Sequence, residues 1–480
     1  MEGQPGGGSA AGRGRPVTAL GRGGARAVRR GMTAARGQLV VAVGGPARTR
    51  VVLLLACVLA LASADSATVG ASAVELRRTL DISNTDIGLL VSVTALVAAV
   101  FSLPFGVLAD RGRRTWILAF ALLTWGAAML WSATAASFSQ LLLARVGLGA
   151  VTAAAGPIVA SLVGDWFPAA ERGRIYGYIL TGELLGAGAG FAVTGDIAAL
   201  SWRAAFIILA LPAFALAWLI FRLPEPVRGG QGALAAEPDA RPRARPRPAS
   251  ATPSPAPDPQ LLAAEMGIEP DLELASRSHA KMTLMQALRY VLAVRTNVAL
   301  IIASACGYYF MSGVQTFGNE FVSGQYRVGQ VVANLLLLVV GAGAVLGVLV
   351  AGPLSDALLR RGHLSARLSV ATVAAAATVL LFIPALITHS AVTALPYVVI
   401  AAAALTAQNP PIDAARLDIM PPQMWGRAEG VRTFLRTAAQ ALAPVLFGAV
   451  SEDIFGGGTK GLKWTFVVML VPLAASAVFL

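Results

Sequence analysis

The stretch Phe105–Thr115, F-G-V-L-A-D-R-G-R-R-T, decides the fold. An unbroken apolar run arrives at it and another leaves from it. Between them stand one acid, Asp110, and three arginines, Arg111, Arg113 and Arg114. Such a knot of charge is too costly for hydrocarbon. It is expected to be a tight loop at a membrane surface, and its cationic bias marks that surface as the cytoplasmic one.

Composition supports the same reading over the whole chain. Of 480 residues 56% are hydrophobic and only 13% charged, and the mean hydropathy is +0.68. A soluble domain carries about 25% charge. Apolar runs recur at roughly the 20 residues that cross a bilayer core as helix. Backbone groups in lipid must be satisfied within the segment, so these runs are helices and not open strands. The class is therefore an all-α membrane protein. The net charge of +13 does not indicate a nucleic-acid partner, because the arginines gather in the N-terminal arm and in alternate loops. Cys57 and Cys306 both fall in spans, and the three histidines form no ligand-spaced pair. No cofactor or metal is expected, and there is no G-x-x-x-x-G-K-[ST] phosphate loop.

Twelve spans are read at 51–74, 87–109, 115–135, 139–163, 173–195, 202–222, 297–321, 330–354, 365–387, 392–413, 428–450 and 462–480. Loops after even-numbered spans carry the arginines, which places both termini in the cytoplasm of a multi-pass protein of the cell (inner) membrane. Residues 1–50 hold nine arginines against the single acid Glu2 and are expected to be a disordered basic arm near anionic lipid. The first apolar run, ending at Ala62-Ser63-Ala64, imitates a cleaved leader. The apolar pattern continues to Val74, so it is read as span one. Residues 223–296 form a Pro-, Ala- and Arg-rich cytoplasmic linker. Its last part, 281–295, carries Met282, Met285, Leu288 and Leu292 at helical spacing and is expected to be an amphipathic helix on the membrane surface.

The chain repeats itself. Pro157/Pro410, Asp165/Asp418, Pro168/Pro421, Gly173/Gly426 and Arg174/Arg427 coincide at an offset of 253 residues. Gly106–Asp110 matches Gly352–Asp356 at 246, and Trp202 matches Trp464 at 262. Two six-helix halves, 51–222 and 297–480, are thus expected to be related by an axis along the membrane normal.

Charges inside the spans need a reason. At about 1.5 Å per residue, Asp65 in span one and Arg145 in span four fall at the same depth. Glu183 in span five and Arg436 in span eleven both fall near the midplane by the same measure. Glu183 is a candidate proton carrier. Arg436 is a candidate anchor for an anion, since a guanidinium stays charged and suits carboxylate or phosphate. A structural contact between spans is the other reading of both. Arg432 is placed nearer the inner surface as a headgroup or loop partner. Tyr308, Tyr309 and Gln315 in span seven, and Asn409 beside Pro410 and Pro411 in span ten, are further candidates for a cavity wall.

These residues resemble the major facilitator superfamily over nearly all of 51–480. Gly106, Leu108, Asp110, Arg111, Arg113 and Arg114 are similar to its loop signature between spans two and three. Leu142–Gly149, L-L-A-R-V-G-L-G, is similar to its span-four motif, in which the arginine is the functional residue, and Arg172-Gly173-Arg174 to its loop after span four. The D-R-x-x-R-T spacing of Asp110–Thr115 resembles spinster-like members, although Ser66 and Ala150 depart from them. The resemblance implies a secondary active transporter of a small organic or amphiphilic solute, working by alternating access; carboxylates in the spans and the lack of an ATP-binding loop point to proton coupling, and a monomer is expected. It implies that spans one and four adjoin, so Asp65 and Arg145 are expected to face each other. It also implies that Asp110 and Arg114 form a gate against span eleven, with Asp356 the pseudo-symmetric counterpart. A lysolipid transporter, a non-transporting receptor or scaffold, and a membrane enzyme are the alternatives; the last lacks any catalytic constellation.

Overall fold

The structure is a computed structural model that describes residues 40–82, 84–229 and 282–480. The basic arm through residue 39 and linker residues 230–281 lie outside the described residues. The chain divides into two units, 1–50 with 236–240, and 51–235 with 241–480. The first contributes, among its described residues, the entry to the helix Pro46–Ala71. The rest of the description concerns the second unit.

The described residues are helical and hold all twelve expected spans. Spans one to three are Pro46–Ala71, Asn84–Arg111 and Arg114–Thr134. Span four is two segments, Phe138–Thr152 and Ala155–Trp166, and Arg172–Leu200 and Trp202–Phe221 complete the first half. The second half begins with Arg295–Tyr326, Gln330–Arg360 and Ala366–Ile387. Span ten is again two segments, Ala391–Ala407 and Asn409–Ile419, followed by Trp425–Ala449 and Gly458–Phe479. Eleven of these helices are long and apolar enough to cross a membrane by those criteria. The twelfth, Arg172–Leu200, is 29 residues long.

Several sequence boundaries are corrected, and spans five, seven and eight run on to Leu200, Tyr326 and Arg360. Span four does not end at 163 nor span ten at 413; each breaks and restarts, running on to Trp166 and Ile419. Pro410 and Pro411 sit in the first turn of the restarted segment, where a missing N–H costs no helical bond. They therefore begin a helix instead of ending one. The expected amphipathic helix is shorter, Leu284–Ala293, and starts on a Thr283/Gln286 capping box. It buries Ala287, Tyr290 and Val291, while Met285 and Leu292 face outward.

The repeat appears as two matching clasps at the arginine-rich end. Span two packs on span eleven, and span eight packs on span five. Asp110 accepts hydrogen bonds from the first amides of span eleven, Gly426 N at 2.7 Å and Arg427 N at 3.0 Å. Asp356 does the same at span five, with Gly173 N at 3.1 Å and Arg174 N at 2.7 Å. Both carboxylates sit where orphan N–H groups and the positive helix end favour an anion. The backbones approach so closely that a Cβ on Gly106 would lie 2.7 Å from the Gly426 carbonyl oxygen. This explains why both halves carry glycine there.

The expected gate is corrected in one respect. Arg114 does not face span eleven. It pairs with Asp165 within its own half and donates from Nε to Glu225 at 2.8 Å. The cation across the halves is Arg427, whose Nε lies 2.7 Å from Asp110. Arg111 and Arg427 also donate to the Met282 carbonyl, at 3.0 and 3.2 Å, which ties the linker's end to this clasp.

Candidate functional site

A cavity of about 180 Å³ lies between the halves, lined by spans one, two, four, five, ten and eleven. Its charged lining is Glu183 from span five, Asp413 from span ten, and Glu429, Arg432 and Arg436 from span eleven. Hydroxyls of Ser63, Thr152, Thr433 and Thr437 add hydrogen-bonding capacity to walls that are otherwise mostly small and apolar.

Four of the charges close into a ring. Asp413 Oδ1 pairs with Arg416 Nη2 at 3.2 Å and with Arg432 Nη2 at 2.7 Å. Glu429 pairs with Arg432 Nη1 at 3.0 Å and, through its other oxygen, with Arg416. Thr433 Oγ1 donates to Glu429 at 3.2 Å, and Arg432 Nε donates to Ser304 Oγ at 3.0 Å. All four ring members are buried. Two carboxylates and two guanidiniums at this depth cancel each other's charge, whereas any one alone would carry a large desolvation cost. The helix restart at Asn409 makes the ring possible, because it carries Asp413 and Arg416 one turn apart on the same face.

Two charges stand outside the ring. The Arg436 guanidinium lies 4.4 Å over the Tyr308 ring. Among the described residues it has no carboxylate partner, and its Nε is buried without an acceptor. Glu183 is half-buried and makes no hydrogen bond or ion pair among the described residues. Sequence reasoning placed both near the midplane without joining them; the structure puts them on one cavity.

Asp65 and Arg145 meet at 2.8 Å, both buried. The pair is not part of the cavity lining. Tyr308 is buried beneath Arg436, while Tyr309 donates to Met469 Sδ at 3.1 Å in the core of the second half. Gln315 is exposed and outside the lining, and buried Asn409 opens the second segment of span ten, also outside it.

Arg432 is the clearest correction. It is no headgroup partner but the hub of the ring, buried and held by two carboxylates. Reading span eleven from 428 put it one turn deep, whereas the helix starts at Trp425. Asp413, Arg416 and Glu429 were missed for the same kind of reason, being assigned to span ends. One signal could have found them: the acid–arginine pairs Asp413/Arg416 and Glu429/Arg432 both stand at i, i+3. No group of three or more potential metal ligands occurs among the described residues.

The sequence profile of the Major Facilitator Superfamily matches residues 55–444. The "Probable L-galactonate transporter" of Escherichia coli (strain K12) is 29% identical over 188 residues, 38% of this chain and 41% of that protein. The "Hexuronate transporter" of Bacillus subtilis (strain 168) is 27% identical over 166 residues, 34% of this chain and 39% of that protein. The matched stretch thus spans well under half the length of these relatives. A solved bacterial homolog to the human lysosomal transporter spinster, inward-facing and unoccupied, superposes with a TM-score of 0.55 at 21% identity, over 90% of this chain and 96% of that one.

Proposed function

Given that the chain belongs to the Major Facilitator Superfamily, we propose that it is a secondary active transporter that carries a small organic anion through the cavity between its halves. The observation that carries this reading is Arg436, a guanidinium on the cavity wall with no carboxylate partner among the described residues. A guanidinium suits a carboxylate. The names of the two relatives, a galactonate and a hexuronate transporter, support the same class of solute.

In this reading the arginine-rich end faces the cytoplasm at the cell membrane and both termini lie inside, a placement that the loop charges favour. The two clasps then hold the cytoplasmic side shut, so the conformation is the outward one. Transport opens the clasps and closes the opposite side as the halves rock about the cavity. The protein acts as a monomer in contact with membrane lipid, with protons as the coupling ion.

Flux into proteoliposomes tests it, using the full chain and a panel of galactonate, glucuronate, 4-hydroxybenzoate, galactose and a lysophospholipid. Saturable uptake of an acid that is lost in Arg436→Gln is expected. Movement of galactose or the lysophospholipid alone would replace the anion assignment with another solute, and movement of none of the panel would count against transport.

A further inference from the structure

Spans eight, nine and ten of the second half flank an apolar groove of about 540 Å³, apart from the cavity between the halves. Backbone contact sets its floor. A Cβ on Gly343 would lie 2.7 Å from the Val399 carbonyl oxygen, and one on Gly347 would collide with the Ala403 carbonyl oxygen. Thr406 Oγ1 donates to the Ala344 carbonyl at 2.6 Å between the same two helices. Spans eight and ten thus meet with little side chain between them, and Ala377, Ala404 and Ala407 are too small to fill the space. Leu346, Val350, Val373 and Ile400 line it while more than half exposed. An apolar space of this kind stays dry. Within a bilayer, hydrocarbon is what reaches it. We propose that the groove binds an anionic glycerophospholipid from the leaflet at the arginine-rich end, with an acyl chain along spans eight to ten and its phosphate on Arg361.

Length and charge select that occupant. From Leu346 to Leu358 the groove runs twelve residues along span eight, about 18 Å at 1.5 Å per residue. The hydrocarbon of one leaflet is about 15 Å, half of a core of roughly 30 Å. A chain from one leaflet therefore fills the groove and brings its headgroup out at the end of span eight. Gly347, Val350, Leu354, Leu358 and Arg361 follow one another at spacings of three or four, so Arg361 continues the groove's face past its last apolar turn. Arg361 is exposed and makes no ion pair or side-chain hydrogen bond among the described residues. The charges around it are occupied. Arg360 Nη1 donates to the Ala170 carbonyl at 3.2 Å, and buried Arg367 pairs with Asp356 and Asp418. Asp418 also holds Arg172 at 3.1 Å. The phosphate of an acidic lipid gains a charge-assisted bond from the open guanidinium. A zwitterionic lipid carries its own cation beside the phosphate and gains less. The first half is built differently here. The offset of 246 that pairs Asp356 with Asp110 pairs Arg361 with Thr115, which donates to Glu225 at 2.8 Å. Asp356 stands between Leu354 and Leu358 in sequence and hence on the opposite face of the helix. The seated lipid thereby braces the turn of span eight that makes the second clasp.

The test is photo-crosslinking of the full chain in phosphatidylcholine nanodiscs, with a phosphatidylglycerol bearing a diazirine on one acyl chain as the probe. Unlabelled phosphatidylglycerol, phosphatidylcholine and water-soluble glycerol phosphate serve as competitors, and adducts are mapped by peptide mass spectrometry. In wild type the adducts are expected to concentrate on peptides of spans eight, nine and ten. Phosphatidylglycerol should displace the probe there about fivefold better than phosphatidylcholine, the ratio that one arginine gives at a membrane surface. Arg361→Gln should abolish that preference with its thermal midpoint retained. The double variant Ala377→Leu, Ala404→Leu fills the groove and should lose these adducts while adducts on other lipid-facing spans persist. Should the double variant fail to fold, the adduct map of wild type and the preference lost in Arg361→Gln still decide. Adducts spread evenly over the lipid-facing spans, or unchanged in a folded, filled groove, overturn the site. Equal displacement by the two lipids in wild type, or a preference that survives in Arg361→Gln, overturns the anionic headgroup on Arg361. Displacement by glycerol phosphate as effective as by phosphatidylglycerol overturns the acyl chain as the ligand's anchor.

Discussion

Asp110 caps the first amides of span eleven, and Asp356 caps those of span five in the same way. Nothing comparable relates the two halves at the cavity. Stepping back by the repeat's 253 residues from Asp413, Arg416, Glu429 and Arg432 lands on Ala160, Val163, Tyr176 and Ile179. The ring thus belongs to the second half alone, while the first half keeps the buried pair of Asp65 with Arg145 outside the cavity lining. The difference separates two tasks. Closing one end of a two-half molecule needs the same contact twice, so the duplicated residues serve it directly. A charged cavity wall needs no such duplication, and there the two copies diverge. At the clasps the symmetry is also incomplete. The Arg427 side chain turns to Asp110, whereas its equivalent Arg174 turns to Glu171 at 3.4 Å. Asp356 instead receives Arg367, which also pairs with Asp418.

That imbalance gives the largest expected effect. Asp110→Ala removes the acceptor of two amides and the carboxylate that the buried Arg427 Nε reaches at 2.7 Å. Losing one partner of a buried pair costs about 3–5 kcal/mol. Asp356→Ala removes two amide acceptors as well, but leaves Arg367 on Asp418. Its loss should be smaller, about 1–3 kcal/mol. Equilibrium unfolding of both variants in a bilayer mimic checks this, and equal losses would mean that the clasps are interchangeable.

The cavity gives the next contrast. Arg432→Gln leaves Asp413 and Glu429 each short of a guanidinium, in a buried site, and should destabilise the fold by about 3 kcal/mol or more. Arg436→Gln removes a cation with no carboxylate pair and a contact over Tyr308, a loss of about 0.5–2 kcal/mol. Thermal unfolding and acid binding, read side by side, should therefore separate the two. Arg432→Gln fails in stability, and Arg436→Gln fails in binding while still folded. A reversed order would move the site onto the ring.

Which parts were legible in the sequence follows the same line. The clasp was readable because Gly106–Asp110 and Gly352–Asp356 recur with Gly173-Arg174 and Gly426-Arg427. Asp65 and Arg145 were readable because each stands alone in an apolar run, and depth along a helix sets their level. The ring was hidden because Pro410 and Pro411 look like a helix end, so Asp413 was read as the last residue of span ten and Arg416 as loop. A proline pair opening a second segment gives the same local signal as one that stops a helix. Arg114 was misdirected for another reason. A loop motif fixes which residues are charged, not which neighbour each one reaches, and its partner Glu225 lies beyond span six.

Close packing gives a smaller and sharper test of the clasp. A Cβ on Gly426 would lie 2.6 Å from the Gly106 carbonyl oxygen and 2.7 Å from Asp110 Oδ1. Gly426→Ala should therefore cost about 1–3 kcal/mol and loosen the contact of spans two and eleven. A Cβ on Gly188 meets nothing within 4 Å, so Gly188→Ala should be neutral or slightly stabilising in unfolding experiments. Equal effects at the two positions would mean that the backbones do not approach as described.

The smallest expected effect distinguishes the halves by pH. Glu225 lies past the end of span six and accepts from Thr115 N at 2.9 Å, Thr115 Oγ1 at 2.8 Å and Arg114 Nε at 2.8 Å. Burial pushes its carboxyl up, but these bonds and the Arg114 charge outweigh burial and hold it below the usual carboxylate range. A carboxyl lowered on folding stabilises the protein above its unfolded value, about 4.3, and that stability is lost as pH falls through the folded value. The side chain is partly exposed, so solvent screens the effect. Unfolding followed from pH 6 down to pH 3 should then show wild type losing stability in the acid range relative to Glu225→Gln, whose side chain cannot titrate. Curves that stay parallel would mean that Glu225 holds Arg114 and Thr115 by geometry alone, and that its charge contributes nothing to that contact.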